Sequence, residues 1–189
     1  MTDGLTDGPG VPHLVLGGAR SGKSRFAEAL IQRFPPPYVY VATAQALDDE
    51  MRDRIEGHQR RRGAQWQNLE VPLALVEHLE ALQGKGRPVL VDCLTLWLSN
   101  LMLGSPDSRE PADDEVDRLC AAIGAADYPL VLVSNEVGAG IVPGNALARA
   151  FRDLAGRTNQ QVAAACAAVT LVVAGLPLVL KESPKPSLP

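Results

Sequence analysis

The chain has 189 residues, 46% hydrophobic and 21% charged, with a formal net charge of −4; that suffices for one domain with a sizeable core and is short for two. The acidic balance, with basic residues clustered only locally at Arg60-Arg61-Arg62, argues against a nucleic-acid-binding surface. Cys93, Cys120 and Cys166 are far apart and form no C-x-x-C pair, which argues against a disulfide framework or an ordinary zinc site and suits a reducing cytoplasm.

Residues 1–12 contain Gly and Asp but no apolar stretch, so they read as a flexible tail and not as a signal peptide. A single domain is expected over 13–181. It opens on an apolar run, His13-Leu14-Val15-Leu16, followed by Gly17-Gly18-Ala19-Arg20-Ser21-Gly22-Lys23-Ser24. This matches the phosphate-cradling pattern G-x-x-x-x-G-K-[ST]. Phe26, Ala27, Leu30, Ile31 and Phe34 then recur at helical spacing, predicting a helix over 24–33. Strand, glycine turn and helix start are what such a site requires. Glycines let backbone N–H groups converge on an anion, and the helix N-terminus adds partial positive charge. In that pattern Lys23 reaches the outer phosphates and the Ser24 hydroxyl sits on Mg²⁺.

Pro35-Pro36-Pro37 ends this helix and launches a second strand, Tyr38–Ala42. A helix is expected over 48–62, yet its only sizeable apolar residues are Met51 and Ile55, a much thinner stripe than a buried helix carries. His58 shares a face with Arg54 and Arg62. A neutral imidazole near pH 7 can attack phosphorus, and neighbouring arginines can stabilise the phosphoryl oxygens; a solvated histidine on a charged helix is the competing reading.

Further helices are expected over 73–83, 94–103, 114–124 and 145–167, with strands at Val89–Val91, Leu130–Val133 and Val169–Val173. These strands are near-continuous apolar runs, as in a parallel sheet buried on both faces. The alternation predicts a doubly wound α/β domain with right-handed crossovers. Asp92 closes an apolar strand, where a Mg²⁺-handling acid is expected beside a phosphate loop. Active groups in such sheets gather beyond the carboxyl ends of strands, the expected place of Thr43, Asp92, Ser134, Asn135 and Glu136. Gly104–Asp113 is polar and reads as an exposed loop. Thr170–Ala174 and Leu178–Leu180, flanking Gly175-Leu176-Pro177, predict a hairpin adding an antiparallel edge strand. Residues 182–189 are Pro-rich and read as a flexible tail.

Several segments then fall in a recognisable order: Gly17–Ser24, Ala42-Thr43-Ala44, the Arg54-Ile55…His58…Arg62 helix and Trp66…Glu70…Pro72. They continue with Asp92–Asn100, Ser134-Asn135-Glu136-Val137-Gly138, Gly140-Ile141-Val142-Pro143, Phe151-Arg152-Asp153, Gly156, Asn159-Gln160 and Gly175-Leu176-Pro177. From about His13 to Lys181 the sequence closely resembles the bifunctional adenosylcobinamide kinase / adenosylcobinamide-phosphate guanylyltransferase family of cobalamin biosynthesis. The resemblance implies a P-loop NTPase domain with a RecA-like, mostly parallel sheet, and a homotrimer; the cysteine usage and N-terminal composition already read as cytoplasmic. It implies phosphorylation of adenosylcobinamide by ATP or GTP, then transfer of GMP from GTP onto the resulting phosphate. It also implies that the matching His58 carries GMP covalently. The positions matching the family's nucleotide contacts are Gly17, Gly18, Ala19, Arg20, Ser21, Gly22, Lys23, Ser24, Ala42, Thr43, Ala44, Gln59, Arg60, Arg61, Arg62, Glu70 and Asp92, with Mg²⁺ expected at Ser24 and Asp92. The thin apolar stripe of segment 48–62 suggests a helix that closes over GTP.

Overall fold

The computed structural model describes residues 10–44, 63–104 and 110–182. The helix expected over 48–62 and most of both expected tails lie outside the described residues. Gly10 and Pro12, counted with the N-terminal tail above, already touch the sheet: the Gly10 carbonyl meets His13 Nδ1 and the Pro12 carbonyl accepts from Ala167 and Ala168 N–H.

In chain order the elements are β1 (His13–Gly17), α1 (Lys23–Ile31), β2 (Tyr38–Ala42), β3 (Trp66–Glu70), α2 (Leu75–Ala81) and β4 (Val89–Asp92). They continue with α3 (Leu94–Gly104), α4 (Glu110–Ala125), β5 (Leu130–Asn135), α5 (Ala146–Ala165), β6 (Ala168–Val173) and β7 (Leu176–Lys181). The strands form one seven-stranded sheet in the order β3-β2-β4-β5-β1-β6-β7. Neighbours are parallel except β6 and β7, which are antiparallel.

Strand alternation divides the core between the two faces. Leu14 and Leu16 of β1 join Leu75, Leu79, Trp97, Leu119, Ile123 and Val162 on the face covered by α2 to α5. Val15, between them, joins Ala27, Leu30, Ile31, Leu90, Val131 and Val133 on the α1 face. Burying each such Leu or Ile contributes about 1.5–3 kcal/mol relative to exposure. Trp97 is fully buried, and its indole N–H donates to Leu73 O at 2.9 Å, so no polar group is stranded.

Three sequence expectations change. Trp66–Glu70 is a strand that the hydropathy pattern concealed: only Trp66 is buried and Leu69 partly so, because β3 is an edge strand. The loop expected over Gly104–Asp113 gives way to α4 from Glu110; Pro111 stands in its first turn, where a missing N–H costs no helical bond. In the hairpin, the turn falls on Ala174 and Gly175, both at positive φ, and Leu176 and Pro177 already belong to β7. Proline is tolerated there because β7 is at the sheet edge.

Candidate active site

Residues of five strands end along one edge of the sheet. In register, Glu70 of β3, Ala42 of β2 and Asp92 of β4 form a row, and Gly17 of β1 lies beside Asn135 of β5. This is the carboxyl edge of the parallel sheet, where open α/β folds bind ligands.

Gly17–Ser24 joins β1 to α1 at this edge. Ser21 N–H donates to Gly18 O at 3.2 Å and Phe26 N–H to Gly22 O at 3.0 Å, so the loop runs directly into the helix. Arg20 has φ 55° and Gly22 φ 96°; such left-handed residues within a turn make the concave run of N–H groups that receives anions. Gly17 has no room for a side chain, since an added Cβ would lie 2.4 Å from Ser21 Oγ and 2.7 Å from Val172 O. Lys23 is 9% exposed, and its ammonium reaches back to Gly18 O at 3.2 Å. A cation is thus poised over the loop beside the helix N-terminus.

Asp92 ends β4, and the Tyr40 hydroxyl donates to its Oδ2 at 3.0 Å. Thr43 is fully buried; its hydroxyl donates to Cys93 O at 2.7 Å and accepts from Cys93 N–H at 2.9 Å. Its own carbonyl accepts from Asn100 Nδ2 at 2.8 Å. The Thr43 side chain therefore fastens β2 to the chain after β4, and its hydroxyl is not turned to a ligand. Asn135 donates to Thr95 Oγ1 at 2.7 Å, and Asn159 donates to Asn135 O at 3.1 Å while accepting from Ser134 Oγ at 2.7 Å. Glu136 Oε1 accepts from Gly138 N–H at 2.6 Å. Burial, then the neighbouring Asp92, pushes the Cys93 thiol above its ordinary pKa, which disfavours the thiolate at this position.

Ser24 and Asp92 supply hard oxygen donors suited to Mg²⁺. Among the described residues no group of three or more His, Cys, Asp or Glu could hold a metal ion. A magnesium ion needs no such cage: it keeps waters and takes one or two protein oxygens together with substrate phosphates.

The family model described as "Cobinamide kinase / cobinamide phosphate guanyltransferase" matches residues 13–180. The chain belongs to this family. It is 48% identical over 171 residues to the bifunctional adenosylcobalamin biosynthesis protein CobP of Pseudomonas aeruginosa, covering 90% of this chain and 98% of that one. It is 44% identical over 179 residues to the protein of the same description, CobU, of Salmonella typhimurium, covering 89% and 98%. A solved ATPase from a bacterial type III secretion system is similar in fold, with a TM-score of 0.56 at 11% identity, over 88% of this chain and 56% of that one.

In this cobinamide kinase / cobinamide phosphate guanyltransferase the fold gathers the phosphate loop, Ala42, Thr43, Ala44, Glu70 and Asp92 at one sheet edge. His58, Gln59, Arg60, Arg61 and Arg62 lie outside the described residues. The Tyr40–Asp92 contact is one the sequence does not reveal: a tyrosine within an apolar strand reads as core, and Tyr40 pairs in register with Leu90 while its hydroxyl reaches Asp92. Among the described residues, no helix is long and apolar enough to cross a membrane.

Proposed function

We propose that the chain catalyses both reactions of its family. In the first, the free hydroxyl of adenosylcobinamide attacks the γ-phosphorus of ATP or GTP, and the bond to the β-phosphate oxygen breaks. The loop N–H groups and Lys23 stabilise the charge on the transferring group, the main task in phosphoryl transfer. Mg²⁺, held by Ser24, Asp92 and the phosphates, would neutralise charge on the nucleotide. In the second, His58 attacks the α-phosphorus of GTP, forming a P–N bond as pyrophosphate leaves. A phosphate oxygen of adenosylcobinamide phosphate then attacks that phosphorus and the P–N bond breaks, releasing adenosylcobinamide-GDP and the imidazole. Gln59, Arg60, Arg61, Arg62 and Glu70 are assigned to the guanine nucleotide, with Ala42, Thr43 and Ala44 forming the wall beside it. For Thr43 that contribution is backbone shape, given its engaged hydroxyl.

The observation that carries this reading is the Gly17–Ser24 loop with Lys23 poised over it, in a chain the family matches over 13–180. GTP radiolabelled at the α-phosphate tests it. The protein should take up a label that is acid-labile and alkali-stable, and His58→Ala should abolish labelling while retaining kinase activity. An unlabelled wild-type protein that still phosphorylates adenosylcobinamide would reduce the function to a kinase.

The same reading includes a homotrimer in the cytoplasm. Every residue of β7 is exposed, with Leu176 at 72%, and Leu178, Val179 and Leu180 also open. An apolar sheet edge of this kind is suited to burial against another copy of the chain.

A further inference from the structure

The Gly175-Leu176-Pro177 segment has no part in the chemistry above, yet the turn that opens it lies against the phosphate loop. Gly175 N–H donates to Ser21 O at 2.8 Å. A Cβ on Gly22 would stand 3.3 Å from Gly175 Cα, and one on Gly17 would stand 2.7 Å from Val172 O. Two glycines of the phosphate motif are therefore hemmed in by the backbone of the β6–β7 hairpin, independently of any nucleotide. Ser21 Oγ is buried in the same contact and has no hydrogen-bond partner among the described residues. The backbone bond is thus the polar tie between loop and hairpin at this point.

From this geometry we infer that the β6–β7 turn is a positioning element of the nucleotide site, with Gly175 as its key residue. The peptide joining Ser21 to Gly22 is planar and trans, so its carbonyl and its N–H point in opposite directions. Fastening Ser21 O to the hairpin turns Gly22 N–H away from it, as a donor to a bound phosphate must be. Ala174 at φ 51° and Gly175 at φ 79° make the tight two-residue turn that brings Gly175 N–H to Ser21. Released from this tie, the loop would populate other conformations, and the apparent nucleotide affinity would fall by the fraction that remains competent. The effect is on nucleotide binding in both reactions and not on the bond-making steps. The inference rests on the reading of Gly17–Ser24 as the triphosphate cradle.

Calorimetric titration of the full-length protein with Mg²⁺ and α,β-methylene-GTP, which binds as a triphosphate but cannot release pyrophosphate to His58, tests it. Gly175→Val, a β-branched residue unsuited to positive φ, should raise the Kd about threefold to tenfold, the range expected for one lost neutral hydrogen bond. Its effect on turnover at saturating nucleotide should be small. Gly175→Asn, which tolerates the left-handed conformation and keeps the N–H, should recover most of the affinity. A semisynthetic protein joined at Cys166, with an ester in place of the Gly175 amide, deletes the donor alone and decides the matter if Gly175→Val fails to fold. Weakened binding by the folded ester protein supports the clamp, and wild-type affinity in that protein overturns it. Failure of the wild type to bind, or unaltered binding by Lys23→Ala, would instead overturn the cradle reading and the clamp with it.

Discussion

The Tyr40 hydroxyl donates to one oxygen of Asp92 and so restrains how that carboxylate is turned at the carboxyl edge of the sheet. Tyr40→Phe keeps the ring, which packs edge-on to Trp66 at 6.3 Å, and removes the bond to Asp92. A hydrogen bond to a charged group contributes about 1.5–3 kcal/mol. Kinase kcat should therefore drop at least severalfold with a smaller change in nucleotide KM, and the Mg²⁺ dependence should shift to higher concentration. Steady-state kinetics across a magnesium series checks this. His13 opens β1, at the end of the strand away from the phosphate loop. Burial lowers its pKa from the ordinary 6.5, opposed by its bond to Gly10, and Nε2 lies 2.9 Å from Thr170 Oγ1. The unfolded chain thus binds this proton more readily than the native one. The His13 contribution is fully present above 6.5 and is lost as pH falls from there through the lowered native value. Denaturant unfolding at about pH 7.5 and about pH 5.5 should show a smaller acid-side loss for His13→Phe than for the wild type.

At the scale of elements, α5 is closed at both ends by side chains. Asn145 Oδ1 accepts from Ala148 N–H at its start, at 2.7 Å. At its end Lys181, the last residue of β7, donates to Ala163 O, Ala164 O and Cys166 O at 2.9, 3.1 and 2.6 Å. One ammonium thereby satisfies carbonyls that a helix end leaves open and complements the helix dipole. Lys181→Met should cost about 0.3–1 kcal/mol in urea unfolding, the range of an exposed charge at a helix C-terminus. Elements such as β1, β2, β4 and β5 were legible because burial on both faces demands unbroken apolar runs. β3 was not legible, since an edge strand such as Trp-Gln-Asn-Leu-Glu satisfies its pairing through the backbone and needs few apolar side chains. The phosphate loop was legible for a related reason: its glycines answer a local steric demand that leaves a fixed spacing in the sequence. The Tyr40–Asp92 bond and the Gly175–Ser21 clamp join positions 52 and 154 residues apart in the chain, and no local pattern records such pairings. The hairpin is legible in its two apolar runs, but its turn lies ahead of Leu176 and Pro177, because an edge strand accepts a proline that otherwise marks a turn.

At the scale of the molecule, the sheet joins the nucleotide edge to an exposed apolar margin. β6 pairs with β1, which carries the phosphate loop, and with β7, whose outer side is open. If that margin buries against other copies, Leu178→Glu should shift the protein from trimer to monomer in sedimentation experiments, and a wild-type profile in the variant would move the interface elsewhere. This domain is proposed to serve two transfers, one centred on the γ-phosphate and one carried through His58. Mass spectrometry after incubation with GTP and Mg²⁺ tests it most directly. One added GMP is expected, localised to His58 by fragmentation and lost on acid treatment. A protein that turns over GTP with adenosylcobinamide phosphate yet carries no GMP, or carries it on another residue, would contradict it.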